Sequence, residues 1–226
     1  MYFREAHLDP EPTFESLDPV ALRRRNLISR FPYRSGLGVT IDCGRFGANL
    51  EEMAQRVLAD GFAARRRAAA ERGRLRGLGI AEIEIDPETG AVTLERYQAI
   101  DDYGRLINPM LTTGQVQGGV AQGIGQALLE HTVYDGQSGQ LLSGSFTDYA
   151  LPRADDLPPL DITLAELPTA VNQLGVKGAG QAGCMAAPQT VISAILDALA
   201  PLGIAQIDMP ATPERVWRAI LSARGS

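Results

Sequence analysis

The fold is decided by residues 80–100, IAEIEIDPETGAVTLERYQAI, in which apolar and polar side chains alternate on both sides of a turn. Ile83 and Ile85 precede the turn and Val92 follows it, so both arms have the period of two that is typical of half-buried strands. The intervening DPETG, residues 86–90, is the kind of sequence that joins antiparallel strands. These residues predict a β-hairpin.

Helices and further strands surround this hairpin. Apolar residues at helical spacing predict helices over residues 111–130 and 186–199 and after Thr212, while a second hairpin is predicted over residues 133–142 and a strand over residues 160–167. The strands and helices do not alternate as they would in a doubly wound parallel sheet. We therefore predict an α+β fold in which antiparallel hairpins pack with helices.

The distribution of charge changes near residue 79. Residues 1–79 carry 14 basic and 10 acidic side chains, whereas residues 80–226 carry 7 basic and 17 acidic ones. Helical signals dominate the first part, which predicts helices after a cap at residues 16–19, over residues 49–58 and over residues 61–72. We divide the chain into an Arg-rich, mainly helical segment, 1–79, and an α+β domain, 80–226.

Composition excludes several classes of protein. The chain has 226 residues, 45% of them hydrophobic, and a net charge of −6, so neither wholesale disorder nor a general nucleic-acid binder is expected. The apolar run at residues 191–205 is interrupted by Asp197, Pro201 and Gly203 and is too short to span a bilayer. The N-terminus has no apolar run like that of a signal peptide, so a cytoplasmic location without membrane contact is expected. With two cysteines and two histidines, no metal or iron–sulfur site is expected in this chain.

Two glycine-rich segments stand out. The first, residues 114–126, places five glycines inside a helical pattern, and each costs about 0.5–1 kcal/mol relative to alanine. Glycines occur in a helix despite this cost where the backbone lies very close to another helix or to a ligand. The sequence does not distinguish these two explanations.

The second segment, residues 175–183, contains the sole lysine, Lys177, and precedes a helix. It matches G-x-G-x-x-G, but it follows no buried strand, which disfavours a dinucleotide site. The remaining interpretation is a run of exposed backbone amides at the N-terminus of a helix. Such amides suit an anion or a polar cofactor.

The stretches that contain these two segments, residues 114–130 and 175–199, together with GSFTDYALP at residues 144–152, resemble the C-terminal part of a known subunit. It is the molybdenum-binding large subunit of the xanthine dehydrogenase, aldehyde oxidase and carbon monoxide dehydrogenase family. Residues 17–28 and 80–108 are similar to other stretches of that subunit. The resemblance implies a small-molecule substrate and a molybdopterin cofactor that carries molybdenum. In that family the cofactor is often the cytosine dinucleotide form. It further implies partner subunits that carry two [2Fe-2S] clusters and FAD, and a site for either is not expected in this chain.

The resemblance also assigns roles to individual residues. Gln115 matches the glutamine that contacts the pterin, and Ala179 and Gly180 match backbone that lies beside the molybdenum. We include Lys177 among the candidate cofactor-binding residues because it is the only lysine and lies in the same loop. Gln181 occupies the position of the family's catalytic glutamate. A carboxamide lacks the basicity of that carboxylate, and the loss of a general base typically costs about 10²–10⁴ in rate.

The chain also departs from the family in length. A long segment is expected between Gly79 and Ile80, so the chain resembles two pieces of one subunit joined by an internal deletion. Apolar surface that the missing piece would cover is then exposed, which favours self-association. We predict a truncated molybdenum hydroxylase large-subunit homologue with impaired activity. The alternative is a non-catalytic accessory or relic module that acts through protein contacts.

Overall fold

A computed structural model describes residues 18–59 and 61–225. Of the cap predicted at residues 16–19, residues 16–17 lie outside the described residues, and Asp18 caps the first helix by accepting the amide of Ala21 at 2.8 Å. In chain order the described residues form α1 (Pro19–Asn26), β1 (Tyr33–Arg34), β2 (Thr40–Ile41), α2 (Phe46–Ala59), α3 (Phe62–Glu71), β3 (Leu75–Leu78), β4 (Ala81–Ile85), β5 (Val92–Asp102), α4 (Pro109–Leu128), β6 (Leu160–Ala165), α5 (Ala182–Leu199) and α6 (Pro213–Arg224). The predicted α+β class is confirmed.

A four-stranded sheet with the order β3-β4-β5-β6 forms the centre of the fold. β4 and β5 are the predicted hairpin, with Ile85 opposite Val92. β6 pairs with β5 in parallel, which the sequence did not indicate. Of the hairpin predicted over residues 133–142, a single antiparallel pair forms, Tyr134 with Leu141.

β3 joins the sheet at the point where a deletion was expected. It pairs antiparallel with β4, and the amide of Gly79 donates to the carbonyl of Ala81 at 2.7 Å across a tight turn. A strand from the segment 1–79 thus completes the sheet of the segment 80–226. The internal deletion itself stays a prediction.

One face of the sheet packs on α5, which in turn packs on α4. The buried side chains of this core are apolar, and they include Ile83 and Ile85 from β4 and Val191 and Ile195 from α5. Each contributes about 1.5–3 kcal/mol by leaving water. By length and composition, residues Ala182–Leu202 could also cross a membrane. In this fold, however, α5 is the helix that lies between the sheet and α4.

The other face of the sheet is ionic and is covered by α3. Glu82 of β4 is only 3% exposed, and its carboxylate accepts hydrogen bonds from Arg65 of α3 and Arg76 of β3. Burial alone would raise the pKa of Glu82, but these bonds outweigh it and hold the pKa below its usual value. Arg76 also pairs with Glu84. A buried charge on this face is therefore balanced by guanidinium groups that fix the position of α3.

The outer edge of β3 is covered by side chains. Arg66 donates from Nε to the carbonyl of Arg76 at 2.8 Å, and Asp197 accepts the amide of Leu78 at 2.8 Å. Arg66 and Asp197 also form an ion pair with each other. Backbone groups of β3 that have no strand beside them are thus bonded to α3 and α5.

Glycines bring α4 and α5 into backbone contact. A Cβ on Gly183 of α5 would overlap the carbonyl oxygen of Val116, and one on Gly123 of α4 would lie 2.7 Å from the Cβ of Ala187. Gly119 also faces α5, with its Cβ position 3.0 Å from the amide nitrogen of Cys184. Close helix packing, one of the two explanations left open for the glycines of α4, therefore applies to Gly119 and Gly123.

Replacing a glycine at this contact should cost stability, whereas replacing an open one should not. Gly123→Ala is expected to lower the free energy of unfolding by about 1–3 kcal/mol, because the added methyl overpacks the contact with α5. Gly118→Ala, on the same helix but with no chain atom within 4 Å of its Cβ position, should raise it by roughly 0.5–1 kcal/mol. Urea denaturation measures both. Equal shifts in the two variants would contradict the helix contact.

The buried carboxylate of Glu82 should make stability depend on acid pH. Glu82→Gln is expected to lower the free energy of unfolding at pH 7 by about 3 kcal/mol, because it removes one partner of a buried ion pair. The Glu82 contribution is present above the ordinary carboxyl pKa of about 4.3 and is lost as the pH falls through the lower folded-state pKa. The difference between the wild type and the variant should therefore shrink toward acid pH in urea denaturation. The control is Glu214→Gln, in an exposed pair, which should cost at most about 1 kcal/mol.

Candidate functional site

The two glycine-rich segments meet in space. The side-chain amide of Gln115, in the first half of α4, donates from Nε2 to the carbonyl oxygen of Gly180 at 3.0 Å. Gly180 belongs to the glycine loop, residues 175–180, which leads into α5. This bond places the predicted residues Gln115 and Gly180 in one site. The close approach of α4 to α5 makes it possible, because it brings the start of α5 beside α4.

Glycines of this site that do not face the protein are open to solvent. No chain atom lies within 4 Å of a Cβ position on Gly118 of α4, or on Gly178 and Gly180 of the loop. Gly118 lies three residues from Gln115 and so on the same face of the helix. The backbone at these three positions can therefore be approached closely by a ligand, the second explanation that the sequence left open.

Gln181 is the N-cap residue of α5, and its side chain is exposed. Its carbonyl accepts from the amide of Met185 at 3.2 Å, whereas its carboxamide makes no capping bond to the first turn. Ala179 is half-buried and packs against the core. Gln115, Ala179, Gly180 and Gln181 thus lie together around the start of α5, and the two glutamines present neutral donors and acceptors there.

Lys177 is directed to a carboxylate. Its ammonium donates to Oδ2 of Asp102 at 2.6 Å, and the side chains are 21% and 13% exposed, respectively. Burial alone would lower the pKa of Lys177, but the bond to Asp102, together with a contribution from Cys43, outweighs it and raises the pKa above its usual value. The proposed contact between Lys177 and a cofactor stays a prediction.

Asp102 is a residue of this site to which the sequence assigned no role. It ends β5, and its Oδ1 accepts the amides of Gly104 at 2.9 Å and Leu167 at 3.0 Å. The only available signal was a pair of adjacent acids, residues 101–102, at the end of a predicted strand. Their partner lies 75 residues away in the chain, so local sequence does not reveal it.

Further bonds attach the glycine loop at its base. Gly175 accepts the amide of Arg105 at 2.9 Å, and the amide of Lys177 donates to the carbonyl of Tyr103 at 2.9 Å. Thr169, just before the loop, donates from its hydroxyl to Asp42, and this bond is the main cause that lowers the pKa of Asp42. The loop is therefore bonded to the residues that follow β5, and the segment that precedes the loop is bonded to Asp42.

A nucleotide-binding arrangement of the loop is not found in the described part of the chain. β6 ends at Ala165, and residues 166–174 between it and the loop are irregular. The motif G-x-G-x-x-G thus lacks the strand that should precede it in a dinucleotide site. This agrees with the sequence context, which disfavours such a site.

Comparison with known proteins identifies relatives of this site. Residues 52–158 match the family model of a molybdopterin cofactor-binding domain, and they include both sides of the junction between Gly79 and Ile80. The chain is 44% identical over 137 residues to the nicotine 6-hydroxylase large subunit of Paenarthrobacter nicotinovorans, a match that covers 61% of this chain and 17% of that protein. It is 33% identical over 144 residues to the carbon monoxide dehydrogenase large chain of Hydrogenophaga pseudoflava, covering 64% and 18%, respectively.

A solved structure agrees with these matches. Quinoline 2-oxidoreductase from Pseudomonas putida 86 superposes with a TM-score of 0.58 and 41% sequence identity, over 62% of this chain and 18% of that one. The chain therefore spans less than a fifth of the length of the relatives it matches.

Proposed function

The chain is a homologue of part of the molybdenum-binding large subunits of the xanthine dehydrogenase and carbon monoxide dehydrogenase family, and we propose that it forms one wall of a molybdopterin site. The proposed activity of the complete enzyme is hydroxylation of an aldehyde, an N-heterocycle or a related substrate. The chain supplies only part of such an enzyme, in keeping with the small share of its relatives that it covers.

One observation carries this proposal: the hydrogen bond from Gln115 to Gly180 beside glycines whose Cβ positions are empty. A pterin is flat and polar, so it needs close backbone approach and neutral hydrogen-bonding groups. Gly118, Gly178 and Gly180 permit the approach. The exposed amides of the two glutamines supply the hydrogen-bonding groups, so the residues present fit the cofactor.

The residues of this chain would bind and orient the cofactor. Gln115 would contact the pterin, while the backbone of Ala179 and Gly180 and the side chain of Gln181 would lie nearest to the metal. When bound, the cofactor supplies the two-electron oxidation and the oxygen transfer, because no side chain of the site can perform either. We propose the cytosine dinucleotide form on the resemblance to the family alone.

The carboxamide of Gln181 limits the acid–base chemistry of this part of the site. A carboxamide donates and accepts hydrogen bonds, but it does not take up a proton near neutral pH. We propose that Gln181 orients substrate or cofactor and that the activity is reduced for want of a general base at this position. The exposed carboxamide has the same reach as a glutamate side chain, so a single substitution restores the carboxylate.

Partner chains are the second part of the proposal. Subunits that carry [2Fe-2S] clusters and FAD would remove the electrons, and further parts of a large subunit would enclose the cofactor. Leu111 and Met185 lie one helical turn from Gln115 and Gln181 and are exposed, which supports protein contacts around the site. In the isolated chain the same surfaces favour self-association. A cytoplasmic location remains part of this proposal.

A methyl group at Gly180 tests cofactor binding separately from folding. Gly180→Ala should leave the free energy of unfolding within about 0.5 kcal/mol of the wild type, because nothing in the chain is close to the added methyl. It should lower the molybdenum and pterin bound per protein at least about tenfold, because a clash of about 1.4 kcal/mol already suffices. Both are measured on protein purified with its partners from the native host. Gly136→Ala, an open glycine in a distant turn, is the control. Unchanged cofactor content in Gly180→Ala would refute the assignment.

Restoring the carboxylate tests the proposed impairment. Gln181→Glu should raise the turnover of aldehydes or N-heterocycles, assayed with an artificial electron acceptor, by about 10²–10⁴, the usual worth of a general base. Gln137→Glu, which adds the same charge in an exposed turn, should have no effect. If Gln181→Glu binds the cofactor but remains inactive on every substrate, the non-catalytic alternative is preferred.

A further inference from the structure

The glycine loop carries one charged side chain, and the protein itself neutralises that charge. Lys177 is the sole lysine of the chain, and its ammonium forms a 2.6 Å ion pair with Asp102. A cation reserved for an anionic ligand would need to face the open side of the loop. The ammonium instead contacts the end of β5, so its charge is already balanced before any ligand binds.

Asp102 joins three separate segments through its two oxygens. Oδ1 accepts the amide of Gly104, which follows β5, and that of Leu167, which follows β6. Oδ2 accepts from Lys177 in the glycine loop. The carboxylate thus connects the ends of two parallel neighbouring strands to the loop that precedes α5.

Other side chains bond to the loop near its two ends. No other part of the chain lies within 4 Å of the Cβ positions of Gly178 and Gly180. The backbone bonds of the loop to the rest of the protein are made at residues 175–177. Besides Lys177, the carboxamide of Asn172 accepts the amide of Val176 and donates to its carbonyl, and Gln115 donates to the carbonyl of Gly180 at the other end of the loop. The ion pair therefore lies between the fixed base of the loop and the part that would face a ligand.

We propose that Asp102 and Lys177 are positioning residues that hold the glycine loop so that Gly180 stays beside Gln115. Lys177 is then not a cofactor ligand, and the loop offers its ligand neutral amides rather than a positive charge. The inference depends on the proposed function only in treating this loop as part of a cofactor site.

Hydrogen exchange of the loop amides tests the positioning role in the cofactor-free chain. Asp102→Asn keeps one oxygen for the two backbone amides and removes the charge, and Lys177→Met removes the ammonium. In both variants, the hydrogen-bonded amides of residues 175–177 should exchange about tenfold faster, because a bond to a charged group is worth at least the 1.4 kcal/mol that corresponds to this factor. Lys177→Arg, which keeps the positive charge, should retain the wild-type protection.

A matched control is available at the turn between β4 and β5. Asp86 accepts a backbone amide with Oδ1 and pairs with Arg74 through Oδ2, at similar burial to Asp102. Asp86→Asn should leave exchange in the glycine loop unchanged. Wild-type exchange in both Asp102→Asn and Lys177→Met, or failure of Lys177→Arg to retain protection, would overturn the proposal.

The single lysine allows a second readout that loss of packing alone would not produce. Acetylation of amines by an N-hydroxysuccinimide ester at pH 8, followed by mass spectrometry of a peptide that contains Lys177, reports the pKa and accessibility of this one ammonium. Asp102→Asn should raise its rate about tenfold, one unit of pKa corresponding to 1.36 kcal/mol. An unchanged rate would overturn the ion pair. Neither readout requires cofactor, so a protein that lacks molybdenum and pterin would refute the proposed function and leave this test intact.

Discussion

The backbone contact between α4 and α5 is the constraint on which the rest of the structure depends. Gly183 lies so close to Val116 that any side chain there would collide with the carbonyl of α4. This approach determines where α5 begins relative to α4, and hence that Gln115 reaches Gly180. On its other side, α5 approaches the sheet closely because Gly77 of β3 has no side chain that would overlap the carbonyl of Ala194, and Val191 and Ile195 are buried there. Close backbone contacts of α5 therefore determine both the packing of the core and the geometry of the candidate site.

The two faces of the sheet achieve stability by different physical means. Toward α5 the contacts are apolar and close, and Gly77 and Gly79 bring the backbone of the sheet against the helix. Toward α3 they are directional, because the carboxylate of Glu82 must meet guanidinium groups from a helix and a neighbouring strand. A buried charge adds little net stability when compared with apolar packing, but it strongly disfavours arrangements in which it is unpaired. The ionic face thus specifies the position of α3 more than it strengthens the fold.

Elements encoded by short-range periodicity were predictable, and those that depend on distant partners were not. The hairpin over residues 80–100 and the helices α4 and α6 follow from local alternation and from the caps Asn108 and Thr212. β3 was missed because Gly77 interrupts its pattern, and the parallel pairing of β6 joins residues some 60 positions apart. At the site, the family resemblance indicated Gln115 and Gly180. The partner of Lys177 became evident only when the fold brought the end of β5 under the loop.

The bonds from Arg66 and Asp197 along the outer strand β3 have a consequence for assembly. An uncovered edge strand is a template onto which another polypeptide can add a strand of its own, and proteins that avoid aggregation block such edges with charged groups. Here the blocking pair comes from α3 and α5, so breaking it would disturb two core helices at once. Addition of a strand from another polypeptide at β3 is therefore disfavoured, because these side chains already occupy its edge.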